Sequence, residues 1–170
     1  MVKLFDYLSS NKGFSFAIQA GIGGSFNRNY PIGKVVNIKT EDLGDLGIET
    51  HKSFKTVSET GMGDETVIIN TNSHLALAHL ESVDAITVAM ACGTQRTADI
   101  RKEKFNAVIE SMEGVTFFML CNMFKIPYFE IRAISNYCGP HNEGEWNIPL
   151  AVNNLTTELV SIIKKLEDEI

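Results

Sequence analysis

The chain has no apolar run that reaches the roughly 20 residues needed to cross a bilayer, so a membrane-spanning helix is not expected. Positive charge is scarce. Fifteen Lys and Arg stand against 21 Asp and Glu, and the net charge of −6 argues against nucleic acid or an anionic membrane surface as a partner. The N-terminus has neither the basic segment nor the long apolar stretch of a signal peptide. Cysteine is limited to Cys92, Cys121 and Cys138, an odd number without metal-type spacing. They read as buried reduced thiols of a cytoplasmic protein. The histidines are His51, His74, His79 and His141. His74 and His79 miss the i, i+4 spacing of helical zinc motifs, so a metal site is not expected. Gly61-Met62-Gly63 and Gly93-Thr94 are too short for phosphate loops, and no Ser-His-Asp or Cys-His order is present.

What remains is a globular composition. With 170 residues, 44% of them apolar, there is room for one domain with a real core. Val2 to Leu8 reads as a short amphipathic helix ended near Gly13. Phe14 to Ala20 reads as a buried strand, followed by a glycine turn that lets a ligand or another backbone come close. Val35 to Lys39 reads as a strand, Glu41 to Glu59 as an irregular loop, and Thr66 to Asn70 as a short strand. Asn72 or Ser73 is placed to cap a short helix, and Ala85 to Ala91 is a further strand. Gly93 to Lys104 reads as a polar surface loop. Ala107 to Glu110 is a strand leading into a helix from Met112 to Phe124, and Tyr128 to Ile134 is β-rich. Val152, Leu155, Leu159, Ile162 and Leu166 form the core-facing stripe of a last helix. Strands and helices alternate, which implies an α/β fold with a central mixed sheet. No internal repeat, low-complexity tract or linker interrupts it.

The stretch from Glu110 to Asn136 carries the most chemistry. Glu110-Ser111-Met112-Glu113-Gly114 opens an apolar helix, and Arg132-Ala133-Ile134-Ser135-Asn136 ends a strand. In an α/β protein both points are expected on the carboxyl edge of the sheet, where ligands bind. A carboxylate in the first helical turn is favoured by the helix dipole and suits two vicinal hydroxyls, as on a ribose. An amide at a strand end suits a heterocycle with adjacent polar atoms. Each residue also has a plainer role open to it. Glu113 can be a surface dipole partner, Met112 a core methionine, Ser111 a helix cap and Asn136 a turn residue. Arg132 reads as a structural partner of Glu110 or Glu130.

These strings resemble the nucleoside phosphorylase and nucleosidase superfamily, and Glu-Ser-Met-Glu-Gly with Ile-Ser-Asn most resembles its futalosine hydrolase branch. Ala20-Gly21-Ile22-Gly23-Gly24-Ser25-Phe26, Gly33-Lys34-Val35-Val36 and Asp45-Leu46-Gly47 extend the resemblance over about 14–152. It implies a three-layer fold with a mixed β-sheet flanked by helices, and a purine nucleosidase that releases hypoxanthine in menaquinone biosynthesis. A phosphate-dependent nucleoside phosphorylase and a truncated, non-catalytic nucleoside-binding protein are the alternatives. On the resemblance, Glu113 accepts from the ribose hydroxyls, Met112 packs under the sugar and Ser111 caps that helix. Asn136 is the catalytic contact to the base: related nucleosidases that serve adenine have Asp there, whereas an amide can donate to both N7 and O6 of a 6-oxopurine. Ile22 stands where some members have Ser near the nucleophile and leans toward hydrolysis. Trp146 and Tyr137 are placed to close over the substrate's aromatic arm. A homo-oligomer is implied, and the nucleosidase reading calls for no cofactor. The resemblance also implies that the first strands of the family fold, with the carboxylate that activates water, are missing from this single domain of residues 1–170. It implies in turn an exposed sheet edge.

Overall fold

The computed structural model describes residues 2–51, 53–140 and 146–167. In order they form α1 (Val2–Ser10), β1 (Ala17–Ser25), β2 (Val35–Leu43), β3 (Gly47–Glu49), β4 (Phe54–Thr56) and β5 (Ile68–Ile69). A single 3-10 turn at Leu75–Leu77 follows, then β6 (Ser82–Thr87), α2 (Gln95–Phe105), β7 (Ile109–Ser111), α3 (Gly114–Phe124), β8 (Tyr128–Tyr137) and α4 (Ile148–Glu167). The fold is α/β around a mixed sheet, as the alternation implies.

Position along the chain hides how tightly that sheet closes. Its order is β5-β2-β6-β7-β1-β8, and β8 pairs back onto β2. Five strands therefore form a ring, with β5 outside it on β2. β1 and β8 run parallel from Ala17 opposite Tyr128 to Ser25 opposite Tyr137. β8 meets β2 antiparallel, with Val35 opposite Ala133. β2, β6 and β7 are mutually parallel. The ring is joined between β1 and β7 by two residues only, Gly24 and Ser25. Over Ala17–Gly23, β8 is the only strand partner of β1 among the described residues.

β8 is the centre of the molecule. Nine of its ten residues are buried, because both of its faces are covered. Alternation sends Tyr128 and Ile134 into a cluster with Phe117, Phe118 and Cys121 of α3. It sends Phe129, Ile131 and Ala133 into a second cluster with Ala151, Leu155 and Ile162 of α4. The buried face of α4 uses Ala151 where the stripe read from the sequence has Val152, which stands exposed, and Leu159 is half-buried. A small residue at 151 lets the helix settle on the sheet.

Other sequence expectations shift with tertiary contact. Gly93 to Lys104 is not a loop: most of it is α2, capped by Thr94, whose hydroxyl accepts from Thr97 N. It buries only Ala98 and Arg101, so it carries no apolar stripe to detect. Glu41 to Glu59 is not irregular throughout, since β2 continues to Leu43 against β6, and β3 pairs β4. β6 ends at Thr87, short of Ala91. The short helix expected after Asn72 or Ser73 is the 3-10 turn, and His74 Nδ1 caps it by accepting from Ala76 N. Asn11 closes α1 by donating from N and Nδ2 to Tyr7 O, and Gly13 takes its left-handed φ of 86° beyond that closure. Cys121 is buried, whereas Cys92 and Cys138 are half-buried.

Candidate functional site

The glycines of β1 do not form a turn. They lie inside the strand, and what they admit is a side chain and a neighbouring backbone. A Cβ at Gly23 would sit 2.9 Å from Glu110 O, so glycine here lets β7 approach. A Cβ at Gly24 would sit 3.1 Å from Asn136 Nδ2 and 2.9 Å from Cys138 Sγ. The Asn136 amide thus lies over Gly24, and the same glycine pairs with Asn136 on one side and Glu110 on the other. Register brings the two sequence motifs together across β1.

A shared carboxyl edge does not do so. β7 runs antiparallel to β1 while β8 runs parallel to it, so the ends of β7 and β8 point opposite ways. Asn136 also lies within β8 and not beyond it. Its Oδ1 is 2.8 Å from Ser135 Oγ, which orients the amide, and Nδ2 reaches Tyr137 O at 3.3 Å.

Glu113 is the N-cap of α3, one residue ahead of the first helical turn, and makes no capping hydrogen bond with its side chain. The helix is capped instead by Thr87 Oγ1, which accepts from Val115 N at 2.8 Å. That displaces Ser111 from the expected capping role: it belongs to β7, and its buried Oγ has no hydrogen-bond partner among the described residues. The Glu113 side chain is 58% exposed, so its carboxylate remains open to a ligand while Arg132 Nη2 holds Oε2 at 3.1 Å. Met112 beside it is half exposed. Ile22 faces away from this cluster and packs under α4 with Phe129, Ile131 and Ala133.

Arg132 is the residue whose role the sequence understates. It is buried, and it reaches Glu130 Oε1 through Nε at 2.6 Å and Gln19 Oε1 through Nη2 at 3.2 Å, besides Glu113. Glu110 is taken elsewhere, by Arg101 Nη1 at 2.5 Å. Glu110 Oε1 also accepts from Cys92 N, and Arg101 donates to Met90 O, so this second ion pair pins the loop between β6 and α2. Of the two partners read for Arg132 from the sequence, Glu130 is the one it meets, at i, i+2 on one face of a strand; the further reach to Glu113 lies outside that reading.

Below Arg132 lies Glu41, wholly buried on β2. Burial, and then the neighbouring Glu130, push its carboxyl up to about 9, against the hydrogen bond that Thr87 Oγ1 donates to Oε2 at 2.7 Å. Burial also raises Glu130, with Arg132 opposing.

Near the end of β8 a cavity of about 340 Å³ is lined by Asn27, Arg28, Gln95, Lys102, Tyr137 and Cys138. The Arg28 guanidinium lies 4.7 Å from the centre of the Tyr137 ring. Trp146 stands partly exposed beyond residues 141–145, and His141 lies outside the described residues. Among the described residues no group of three or more His, Cys, Asp or Glu is arranged to hold a metal ion.

A family model described as the phosphorylase superfamily matches residues 15–164. A futalosine hydrolase of Streptomyces coelicolor is 31% identical over 160 residues, which are 91% of this chain and 67% of that protein. A futalosine hydrolase of Acidothermus cellulolyticus is 28% identical over 151 residues, 84% of this chain and 62% of that protein. The chain therefore spans about two thirds of the length of these curated relatives. Among solved structures, the native futalosine hydrolase of Helicobacter pylori strain 26695 superposes with a TM-score of 0.77 at 16% identity, covering 96% of this chain and 75% of that one. A 5′-methylthioadenosine/S-adenosyl homocysteine nucleosidase of Campylobacter jejuni gives 0.70 at 23% identity, covering 91% and 69%. At these identities the two structures speak for the fold.

Proposed function

The chain belongs to the phosphorylase superfamily, and we propose that within it the chain is a purine nucleosidase that cleaves the N-glycosidic bond of futalosine and releases hypoxanthine. The observation that carries this reading is 31% identity to a futalosine hydrolase sustained over 91% of the chain. Glu113, Met112 and Asn136 then take the roles that the motifs imply.

In this reading the open oxygen of Glu113 accepts from the ribose hydroxyls, and Met112 covers the sugar. The buried, unpaired Ser111 hydroxyl next to them is a polar group that a ligand can satisfy. Ser135 holds Asn136 Oδ1, and the amide nitrogen, which here donates to Tyr137 O at 3.3 Å, is the group that turns to the base. As the bond to the purine breaks, the sugar gains oxocarbenium character and the base gains negative charge. A donor at N7 and O6 stabilises that charge more than it stabilises the bound substrate. None of the residues placed here at the site activates the attacking water.

We read residues 1–170 as one nucleosidase-like domain of a cytoplasmic enzyme of menaquinone biosynthesis. Exposed Phe5, Met119 and Met123, on the packed helices α1 and α3, offer an apolar face for a homo-oligomer.

Chromatography of concentrated protein incubated with futalosine, with and without phosphate, tests the reading. Hypoxanthine released without phosphate is expected. Release only with phosphate makes the chain a phosphorylase, and no release from a folded protein that also binds no nucleoside removes the assignment.

A further inference from the structure

Two buried carboxyl groups beneath Glu113 each leave one oxygen without a partner. Glu41 and Glu130 are both fully buried, and Glu41 Oε1 and Glu130 Oε2 make no hydrogen bond to any donor among the described residues. Both oxygens border the space left by the missing side chain of Gly114. A Cβ at Gly114 would lie 2.1 Å from Glu41 Oε1 and 2.8 Å from Glu130 Oε2. The other oxygens are committed, Glu41 Oε2 to Thr87 and Glu130 Oε1 to Arg132. Two ionised carboxylates facing each other in this dry space would repel strongly. One proton between them removes the repulsion and supplies the missing donor.

We propose that Glu41 and Glu130 share a single proton, carried by Glu41 Oε1 and donated to Glu130 Oε2, and that this pair positions Arg132 so that Glu113 keeps one oxygen free for a ligand hydroxyl. The ligand half rests on the ribose assignment of Glu113, and the proton half does not.

The surrounding charges fit this arrangement. The groups facing the pair and its arginine are Asp42 on β2, Thr87 on β6, Tyr128 and Arg132 on β8, Gln19 on β1 and Glu113 at α3. Arg132 is the only cation among them. With Glu41 neutral, Glu130 alone neutralises Arg132, and Glu113 is held by one oxygen. Without a full negative charge on Glu130, Arg132 would draw Glu113 in through both oxygens and close the site. With the shared proton supplying the step between Glu41 and Glu130, hydrogen bonds link Val115 N through Thr87 to Glu41, and Glu130 through Arg132 to Glu113. Gly114 is what gives the two carboxyls room to meet.

Three readouts on the intact protein test this. Infrared spectra at neutral pH are expected to contain the carbonyl stretch of a buried protonated carboxyl, absent in Glu41→Gln. No such band, or a band unchanged in Glu41→Gln, overturns the shared proton. Crystal structures of the variants test the positioning. In Glu130→Gln the Glu113 carboxylate is expected to turn onto Arg132 through both oxygens, whereas Glu41→Gln, whose amide can donate as the acid does, keeps the present geometry. Glu113 unmoved in Glu130→Gln overturns the positioning. In turnover, Glu130→Gln is expected to raise KM about tenfold or more with a smaller change in kcat, and Glu41→Gln to stay within about threefold of the parent in both. A kcat loss with KM unchanged in Glu130→Gln also overturns the positioning. If the band and the movement of Glu113 are found but the parent protein takes no nucleoside, the ribose assignment fails and the carboxyl pair stands.

Discussion

A Cβ at Gly21 would lie 2.1 Å from Nη1 of Arg132, so the guanidinium occupies the space that any other residue at 21 would fill. Arg132 is held at Glu130, Glu113 and Gln19 and cannot step aside without giving up part of that network. Gly21→Ala is therefore expected to destabilise the fold by about 1–3 kcal/mol, the usual cost of overpacking a closed interior. Urea denaturation measures it, and an unchanged midpoint contradicts the packing described here.

Glu113→Ala separates binding from folding. The side chain is largely exposed, so stability is expected to change little. Loss of a charge-assisted hydrogen bond to a hydroxyl, about 1.5–3 kcal/mol, corresponds to roughly 10- to 100-fold in affinity. Isothermal titration with a purine nucleoside is the check, and retained affinity would sink the ribose role.

Asn136→Asp tests base selection. The amide donates to N7 and O6 of a 6-oxopurine, whereas a carboxylate can accept only. Loss of activity toward hypoxanthine-bearing substrate by about 10² or more is expected, with a gain toward the 6-amino analogue. The ratio of the two specificity constants decides the matter. An unchanged ratio places Asn136 outside base recognition.

The Glu41 carboxyl sets a direction for stability against pH. Its folded value is raised from 4.5 to about 9, so between these limits the folded state keeps a proton that the unfolded chain has released. The unfolded state binds fewer protons, and stability falls as pH rises through that window, by at most about 1.4 kcal/mol per pH unit. Burial raises Glu130 as well, but the pair holds one proton, so the slope stays that of a single group. In Glu41→Gln most of this slope is expected to vanish, leaving the variant relatively more stable toward alkaline pH. Urea midpoints at several pH values across the window report it.

Arg101→Met leaves Glu110 as a buried charge without its cation. Breaking such a pair from one side costs about 3–5 kcal/mol. Cys92 N donates to the same Glu110, so hydrogen exchange at Cys92 is expected to accelerate along with the loss of stability. Exchange there at the parent rate contradicts the latch.

The parts of the molecule legible in its sequence are those marked by a continuous run of one residue class. The apolar runs of α3 and β8 identify themselves, because burial on both sides leaves no polar positions to disguise them. Glu113 and Asn136 stand out because each breaks such a run at its end. α2 is illegible since its helix formers are nearly all polar and it buries only two side chains. Glu41 reads as loop because a charged residue next to Asp42 suggests solvent, and what accommodates it in the interior, the Thr87 hydroxyl and the space beside Gly114, comes from other elements. The link from Arg132 to Glu113 joins two elements, and no periodicity within either one encodes it.

The closure of the ring also has a consequence for synthesis on the ribosome. β8 pairs with β1 and β2, strands made more than ninety positions earlier, so neither can find that neighbour until most of the chain has emerged. Contacts of such long range fold slowly. During translation β1 and β2 wait with hydrogen-bonding edges and apolar faces exposed, open to aggregation or capture by a chaperone. The emergence of Tyr128–Tyr137 is thus the moment at which the nascent chain can first leave that protection.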